Sequence, residues 1–558
     1  MRESGFVKRR INGYGLTNHA SRTTHLLLYH LQNDETLITI AKVNTMDLNQ
    51  LVGQHLIIGV PGTRVTDAIV RQFRQTHAGG LILFRPNIES PPQLTAFIRE
   101  LEEALQRRLL VMIDHEGGRV IHMTCGVTVF PSALAIGATD DPTHAEQQGR
   151  IEALELRRLG IDVNLAPVLD VLTPAYSPNI GIRSYGTDPQ LVARMSVARI
   201  RAMQAAGLSA CAKHFPGKGH ATVDAHLSLP VVHSTWQEME HTHLVPFRRA
   251  IESGVDLVMT SHPHYPRLDP APGAIATFSR RIVTDYLRGE LGYDGIVTSD
   301  DLEMSAIKEL CGVGEAAVRA VAAGHDVVLA CHDLRAQLEA AAALRDAYHR
   351  GTLKTQDLER TIMRLERLQA KRPERFAPSD GNPTPEPEGT RVAEEICYRA
   401  ARVLRGRPWL PFPSSWLRGR RIVAIMPRLS HLGDRIMIEP ALMDEMAFVR
   451  NLLAAYGVSA MTSIVSIEPT DAEIASATAM AQLADLIILY LFDAHLYPSN
   501  QQLLEQTLAL ADGSERRVAV VLLRDPYDTE WVRDPAACVT GYGFRACELR
   551  AATRLLFE

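Results

Sequence analysis

Residues 210–219 read ACAKHFPGKG. A short run of small and apolar residues ends in Lys213 and His214, and the chain then enters a loop of glycine and proline. Runs of this kind form buried parallel strands, and glycine and proline mark the turn that follows. The stretch therefore predicts a strand that carries polar side chains at its carboxyl end.

The same unit recurs along the first two thirds of the chain. Apolar, β-branched runs alternate with longer stretches of helical periodicity, such as residues 92–105 and 191–205, a pattern that is typical of parallel β/α units. The eight candidate strands are Leu56–Val60, Gly80–Phe84, Leu110–Asp114, Val163–Leu169, Ala210–His214, Leu257–Ser261, Gly295–Asp300 and Asp326–Cys331. Eight units in roughly 330 residues predict a (β/α)8, TIM-like barrel. A doubly wound open sheet is the alternative.

Polar residues stand at or just past the carboxyl ends of five of these runs. They are Asp114, Asp170, Lys213 with His214, Ser261 with His262, and Asp300. Barrel enzymes assemble their active sites at this end of the strands. One such residue would suit a helix cap or a surface position, but five together favour the barrel and a site in its mouth.

The α/β chain divides into four segments. Residues 1–45 lack the regular pattern that begins at Met46, and we predict a poorly ordered extension there. Residues 46–371 form the predicted barrel, residues 372–390 a proline-rich linker, and residues 391–558 a smaller α/β sandwich domain. The strands predicted for this second domain are Arg421–Met426, Leu486–Leu491, Val518–Leu523 and Cys538–Gly541. Its role stays open between covering the site, dimerisation and stabilisation.

Composition excludes several classes of function. The 558 residues carry a formal net charge of −5, with 22% charged residues, which gives no basic surface for nucleic acid. No apolar run approaches the roughly 20 residues that span a bilayer. The seven cysteines are scattered and form no C-x-x-C pair, so we expect reduced thiols in a cytoplasmic protein. Composition does not distinguish a monomer from a dimer.

The densest chemical signal is the loop after residues 210–214. Asp224 and His226 follow the glycines and stand two residues apart. In a turn, the carboxylate can accept a hydrogen bond from the imidazole, which fixes its tautomer and raises its pKa. The pair therefore predicts a proton donor that works near neutral pH, although a lone histidine in a loop is more often only solvated.

A second signal is the strand GIVTSDD, residues 295–301. A carboxylate at the end of an apolar strand lies in the mouth of the barrel, where it can attack an electrophilic carbon. Successive strand residues face opposite ways, so we expect only one of Asp300 and Asp301 to point into the site. The structural interpretation of Asp301 is an N-cap on a helix that begins near Leu302.

Two further motifs follow the third and fourth strands. Asp114, in IDHEGGRV, is placed to bind hydroxyl groups, and the nearby Glu116 and Arg119 are equally suited to a structural ion pair with each other. Arg183, in IGIRSYG, is either a ligand clamp or an ordinary surface charge.

These four motifs, in this order, resemble glycoside hydrolase family 3 and specifically its β-N-acetylglucosaminidases of the NagZ type. The K-H-F-P-G-x-G…D-x-H stretch is the specific part, and the resemblance covers roughly residues 47–370. The segment Gly541–Phe544 is similar to one seen in two-domain members. The resemblance implies a small carbohydrate substrate, no cofactor and no metal. It also implies that Asp300 is the nucleophile and His226 the acid/base with Asp224 as its partner, and that Asp114, Arg183, Lys213 and His214 bind the N-acetylglucosamine unit.

Three positions depart from the family pattern. His122 lies where an arginine that contacts the sugar is common. Lys218 replaces a frequent histidine between the two loop glycines, and Ala225 replaces a common serine inside the dyad. Neither loop change removes a group that transfers protons, but both are expected to alter the rate.

The expected reaction is retaining hydrolysis, in cell-wall recycling by family context, and four alternatives stay open. In the first alternative, phosphate instead of water accepts the sugar. A neutral imidazole as acid/base repels an incoming anion less than a carboxylate would, so phosphate could enter the site. The second is substrate-assisted catalysis supported by Asp300 and Asp301 together. The third is a metal-dependent barrel hydrolase, and the fourth is a sugar-binding protein without catalysis. The candidate metal ligands are His262, His264, His214 and Asp300.

Overall fold

The computed structural model describes residues 47–173, 177, 179–220, 229–371, 384–434 and 436–558. Eight parallel strands close into a barrel in sequence order, with the first strand paired to the eighth. The strands are β1 (Leu56–Ile58), β2 (Gly80–Leu83), β3 (Leu110–Ile113), β4 (Val163–Asn164), β5 (Ser209–Phe215), β6 (Leu257–Thr260), β7 (Ile296–Asp301) and β8 (Val327–Ala330). All eight predicted strands are confirmed, and the closure of the barrel excludes the open sheet.

The extension predicted at residues 1–45 and most of the predicted linker, residues 372–383, lie outside the described residues. Helices cover the outside of the barrel. They are α1 (Leu48–Gly53), α2 (Asp67–Thr76), α3 (Pro91–Leu105), α4 (Ala133–Ala138), α5 (Pro142–Arg158), α6 (Pro189–Ala205), α7 (Trp236–His241), α8 (Leu244–Glu252), α9 (Ser305–Lys308), α10 (Val313–Ala323), α11 (Leu334–His349) and α12 (Thr355–Ala370), with a π-helical segment at Arg281–Glu290.

Local sequence explains where these helices begin. Ser90 caps α3 by accepting a hydrogen bond from the backbone of Gln93, and proline occupies the first turn. Asp188 caps α6 in the same way and is also followed by proline. The buried face of α3, formed by Leu94, Phe97, Ile98 and Leu101, packs against the barrel. The N-terminal cap determines where such a helix begins, and the apolar stripe determines which face packs against the barrel.

The barrel core follows the two-residue period of a strand. Leu56 and Ile58 of β1 belong to the apolar layer between the strands and the helices. Ile57, between them, points into the barrel with residues such as Met112 and Met259. Side chains therefore fill the interior, and the mouth at the carboxyl ends of the strands is left for polar groups.

Strand β4 is the shortest and ends well before the predicted limit at Leu169. At the last residue of β4, the side chain of Asn164 pairs with the segment that follows β3. Its Oδ1 accepts from the backbone N–H of His115 at 3.0 Å, and its Nδ2 donates to the His115 carbonyl at 2.8 Å. These side-chain hydrogen bonds join β4 to the loop after β3, and backbone hydrogen bonds to β5 continue as far as Leu169.

A second α/β unit follows the barrel, and its strands are β9 (Arg402–Arg405), β10 (Ile422–Pro427), β11 (Met461–Val465), β12 (Leu486–Leu491), β13 (Arg517–Leu522) and β14 (Ala537–Thr540). They form one six-stranded sheet in the order β11-β10-β12-β13-β14-β9. The helices are α13 (Gly389–Ala400), α14 (Ser414–Leu417), α15 (Glu445–Ala454), α16 (Asp471–Ala481), α17 (Pro498–Ala509) and α18 (Ala546–Arg554). The four predicted strands are confirmed. Strands β9 and β11 were not predicted, because they are the two edges of the sheet and are only partly apolar.

The second unit packs directly on the barrel. Val392 and Ile396 of α13 join an apolar cluster with Phe130 and Ile136 of the barrel. In the same segment as Phe130, Ser132 donates its backbone N–H to the side chain of Glu548 in α18 at 2.8 Å. Helix α13 and the start of α18 thus dock on the loop between β3 and α4 and on α4 itself. Within the described ranges, no helix combines the length and the apolar character that crossing a bilayer requires.

Helix α6 carries two arginines with carboxylate partners in contrasting surroundings. Arg199 and Glu152 lie 2.7 Å apart with both side chains 1% exposed, whereas Arg194 and Asp140 lie 2.8 Å apart with side chains 48% and 74% exposed. We expect Arg199→Ala to lower the free energy of unfolding by about 3–5 kcal/mol, because it leaves a buried carboxylate without its cation. Arg194→Ala is the matched control, with a loss of about 1 kcal/mol or less. Urea denaturation followed by circular dichroism measures both, and equal losses would contradict the assignment.

Candidate active site

A cavity of about 700 Å³ lies in the mouth of the barrel. Its wall includes Asp114, Arg183, Lys213, His214 and Asp300, so the structure brings together five of the seven site residues predicted from the sequence. A groove of similar volume, about 730 Å³, lies outside the barrel among α5, α6 and α8. It holds no strand-end residue, and the mouth of the barrel is therefore the candidate site.

Asp300 is half-buried near the end of β7 and lines the cavity. Its Oδ1 accepts the backbone N–H of Asp301 at 2.9 Å. Its enclosed position would raise the pKa of this carboxyl, but the positive charge of Lys218, with a contribution from His262, outweighs that effect and holds the pKa below its usual value. Asp300 is therefore ionised at neutral pH.

Asp301 turns away from Asp300, toward β8. Its Oδ1 accepts the backbone N–H groups of Glu303 at 3.1 Å and of Cys331 at 3.3 Å. The prediction that only one of the two aspartates faces the site is consistent with these contacts. The N-cap predicted for Asp301 is wrong, because the chain makes a turn after β7 and the next helix, α9, begins only at Ser305.

A buried network of charges forms one side of the cavity. Arg183 binds Glu116 through two hydrogen bonds, from Nε at 2.8 Å and from the terminal nitrogen at 2.7 Å. Nζ of Lys213 lies 2.6 Å from Glu116 and also contacts Asp114. Burial would raise the pKa of Glu116, but the charges of Arg183 and Lys213 hold it well below its usual range. The pairing suggested between Glu116 and Arg119 is replaced by this network.

His214 is held by a buried aspartate, Asp170, in the loop that follows β4. Asp170 accepts a hydrogen bond from Nδ1 of His214 and another from the backbone N–H of Lys218, each 2.7 Å long. Burial, together with the charges of Lys218 and Arg183, holds the pKa of His214 well below its usual range. The imidazole is therefore neutral, with its proton on Nδ1 and Nε2 3.5 Å from Arg183.

Lys218 lies in the cavity wall with only 5% of its surface exposed. Within the described part of the chain, no carboxylate lies within ion-pair distance of its ammonium group. Burial lowers the pKa of Lys218, while the charge of Asp300 acts in the opposite direction. Burying a cation without an ion pair costs free energy. Lys218 lines the same cavity as Asp300, and its charge lowers the pKa of the Asp300 carboxyl.

Asp224 and His226 lie outside the described residues, in the segment 221–228. The chain on either side is well anchored. The carbonyl of Gly219 accepts the Thr173 hydroxyl at 3.0 Å, and the backbone N–H of Val232 donates to His264 at 2.9 Å.

The proposed metal ligands do not converge. Both ring nitrogens of His262 are engaged, Nδ1 with the Thr277 hydroxyl at 2.8 Å and Nε2 with the Asp301 carbonyl at 3.0 Å. Nδ1 of His214 is bound to Asp170. Among the described residues, the group with metal-like spacing lies instead in the second unit, and its members are Asp493, His495 and Asp525. The ligand set suggested for a metal-dependent barrel hydrolase is therefore wrong.

Several residues in or next to the cavity wall had no predicted role or the wrong one. Asp170, fully buried and bound to His214, had a predicted position but no predicted role, and the partner predicted for Glu116 was wrong. His122 lines the cavity, where burial and the charge of Lys213 lower its pKa to about 4. Ile436 and Met437 come from the second unit, and no sequence pattern links them to the barrel.

Comparison with known proteins gives a consistent picture. Residues 43–368 match the model of the glycosyl hydrolase family 3 N-terminal domain. A beta-hexosaminidase of Pseudomonas aeruginosa is 40% identical over 294 residues, which are 52% of this chain and 85% of the relative, and one of Thioalkalivibrio sulfidiphilus is 38% identical over 50% of this chain and 80% of the relative. The structure of a family 3 beta-N-acetylglucosaminidase from Paenibacillus sp. has a TM-score of 0.85 at 32% identity and covers 92% of this chain and 97% of its own.

The network around Glu116 predicts a pH-dependent contribution to stability. Because the pKa of Glu116 in the folded state lies below the unfolded value of about 4.3, the unfolded chain binds more protons in acid. The charge therefore stabilises the fold above that pH, and its contribution is lost as the pH falls.

We expect Glu116→Gln to lower the free energy of unfolding at pH 7 by about 3–5 kcal/mol. The difference from the wild type should shrink below about pH 4.3. Urea denaturation between pH 3 and 8 measures it, with the exposed Glu100→Gln on α3 as the control. A difference that stays constant down to pH 3 would refute the pairing.

Proposed function

Because the chain belongs to glycosyl hydrolase family 3, we propose that it is a retaining β-N-acetylglucosaminidase that removes a terminal, non-reducing N-acetylglucosamine. The observation that carries the proposal is the ionised Asp300 in one cavity with the network of Asp114, Lys213, Glu116 and Arg183. An anionic nucleophile beside hydrogen-bonding groups suits a neutral, hydroxyl-rich substrate. The 40% identical beta-hexosaminidase and the Paenibacillus enzyme support the same sugar.

In the first step, Asp300 attacks the anomeric carbon, and the bond to the leaving oxygen breaks. His226 donates a proton to that oxygen, so the leaving group departs neutral. In the second step, His226 accepts a proton from water, and the water oxygen displaces Asp300 from the glycosyl-enzyme. Each displacement inverts the anomeric carbon, so the two together retain its configuration. The roles of His226 and of its partner Asp224 rest on the sequence motif.

The side chains that we propose bind the sugar already contact one another in the structure. Asp114 and Lys213 are in contact, and the charge of Lys213 is shared with Glu116. Such pairs keep the side chains in place before substrate arrives, which lowers the cost of orientation in the transition state. His214, neutral and fixed by Asp170 through Nδ1, lies with Nε2 3.5 Å from a terminal nitrogen of Arg183, so these two side chains also hold each other in the cavity wall.

The different surroundings of the two aspartates support a covalent mechanism over substrate assistance. Substrate assistance needs a carboxylate pair directed at the acetamido group. Asp301 instead accepts backbone N–H groups on the side of β8. Asp300 is thus the single carboxylate of the pair that lines the cavity.

The biological substrate that we propose is a peptidoglycan fragment in which N-acetylglucosamine is linked to a muramyl peptide. Family context supports this choice, since the NagZ-type members that the motifs resemble act in cell-wall recycling. We place the enzyme in the cytoplasm. All seven cysteines are free thiols in the structure, which suits a reducing compartment.

Site variants test the roles of the two catalytic groups. With 4-nitrophenyl N-acetyl-β-D-glucosaminide, we expect Asp300→Ala to reduce kcat by about 10⁴-fold or more, as removal of a covalent nucleophile does elsewhere. In His226→Ala, we expect kcat to fall about 10²- to 10⁴-fold on substrates with poor leaving groups. The fall should be smaller on the nitrophenyl substrate, because nitrophenolate leaves without being protonated.

Asp301→Asn and the exposed His233→Ala are the matched controls and should stay within about tenfold of the wild type. A fluorinated N-acetylglucosaminide that slows the second step should label Asp300. A label on another residue, or a control as inactive as Asp300→Ala, would overturn the assignment.

Phosphate is a second candidate acceptor, and the buried ammonium of Lys218 is the observation that favours it. A phosphate oxygen would attack the anomeric carbon of the glycosyl-enzyme, and the Asp300 carboxylate would leave. The product would be N-acetyl-β-D-glucosamine 1-phosphate. A lysine on the cavity wall offsets the negative charge of such an acceptor.

We expect the wild type to form the sugar 1-phosphate in phosphate buffer, and Lys218→Met to lower the ratio of phosphorolysis to hydrolysis about tenfold, the loss of one charge-assisted hydrogen bond. Product analysis by ³¹P NMR measures the ratio, with chloride at equal ionic strength as the control. Hydrolysis without any sugar phosphate would reject this second candidate and leave the first intact.

A further inference from the structure

One wall of the cavity does not belong to the barrel. Ile436 and Met437 follow a 3₁₀ turn at Leu429–Asp434 in the second unit, and both are half-buried and line the cavity. Residues from outside the barrel can reach the cavity only across its mouth. The strand ends supply the polar floor, and the second unit supplies an apolar side at the entrance.

This wall is held from the barrel by Arg85. Arg85 opens the turn after β2 and itself lines the cavity. Its guanidinium donates to the carbonyl of Gly433 and to that of Ile436, the latter at 3.3 Å. The segment that carries Ile436 and Met437 is therefore attached to the barrel mouth at two carbonyls.

A second arginine, Arg545, belongs to the second unit and also binds this wall. Arg545, 0% exposed, donates from Nε to the Gly118 carbonyl at 2.6 Å and from a terminal nitrogen to the Met437 carbonyl at 2.7 Å. Gly118 lies two residues past Glu116, in the loop that holds Arg183 and Lys213. One buried side chain thus connects the loop of the charge network to the apolar wall.

The chemistry of the wall differs from that of the floor. In the proposed function, Asp114, Lys213 and His214 bind the terminal sugar, and all three are polar or charged. Ile436 and Met437 offer apolar surface instead, and Phe84 of the barrel also lines the cavity. Methionine adapts its shape to irregular apolar partners. The wall therefore suits an apolar group better than the hydroxyl groups of a sugar.

We propose that Ile436 and Met437 form the leaving-group subsite, so that the second unit selects what the N-acetylglucosamine is attached to. Arg85 and Arg545 are positioning residues for this subsite. The inference rests on the proposed function, and it assigns to the second unit a direct part in substrate choice. A leaving group with an apolar face, such as an aryl group or the ring face of a second sugar, fits the wall.

The two-step mechanism makes the subsite testable. The leaving group is present only until the glycosyl-enzyme forms. A residue that contacts only the leaving group affects kcat/KM, which covers the first step, and leaves unchanged both the hydrolysis of the glycosyl-enzyme and the affinity for the free sugar.

The experiment compares Met437→Ala and Ile436→Ala with the wild type on 4-nitrophenyl and methyl N-acetyl-β-D-glucosaminides. For the aryl substrate we expect kcat/KM to fall about tenfold in Met437→Ala, from the loss of apolar contact. For the methyl substrate the change should be about twofold or less, and the Ki of free N-acetylglucosamine should not change. Met443→Ala, in the same unit but 57% exposed, is the matched control and should behave as the wild type.

Arg545→Lys tests the positioning role, with thermal unfolding to establish that the variant is folded. We expect the same selective loss on the aryl substrate. If this variant does not fold, the Met437 and Ile436 data decide the question.

The proposal is overturned if the Ki of free N-acetylglucosamine rises in step with the loss of kcat/KM, if aryl and methyl substrates lose equally, or if neither changes. A wild type that cleaves no N-acetylglucosaminide would refute the proposed function instead. The wall is then tested in the same way on aryl and methyl glycosides of whichever sugar the enzyme does cleave.

Discussion

The site depends on one buried carboxylate, that of Glu116, held between Arg183 and Lys213. Three segments far apart in sequence meet there: the loop after β3, the turn before α6 and the end of β5. Burying two cations together is unfavourable unless an anion lies between them. Glu116 supplies that anion, and in doing so it fixes the positions of the groups that line the floor of the cavity.

The cavity wall is charged and polar at the strand ends of the barrel and apolar where the second unit contributes to it. Strand-end residues such as Asp300, Lys213 and His214 bring charge and hydrogen bonds to the floor, and their side chains are half-buried or buried, so electrostatic effects among them are strong. Half-buried apolar residues of the second unit, Ile436 and Met437, line one side of the cavity. Arg545 connects the two regions, because it binds carbonyl groups of both the Glu116 loop and the apolar wall. Substrate binding and the docking of the second unit are therefore parts of one arrangement.

The sequence predicted the architecture well where local pattern controls it. All eight barrel strands and four strands of the second sheet were found, because a buried parallel strand is apolar on both faces. The edge strands β9 and β11 were missed, since an edge is half-exposed and its residues are mixed. Of the site, Asp114, Arg183, Lys213, His214 and Asp300 do converge, while Asp224 and His226 lie outside the described residues and their roles remain predictions.

Amino-acid order alone specifies which residues stand at strand ends and which faces are apolar, because these features repeat over two or four residues and are set by burial. It does not specify partners across long separations. Glu116 had a plausible neighbour in Arg119 but binds Arg183 and Lys213. Asp301 was expected to cap a helix but accepts backbone groups beside β8. Ile436 and Met437 gave no signal at all. Each of these outcomes depends on how the barrel closes and how the second unit docks, since only then do distant side chains share one space.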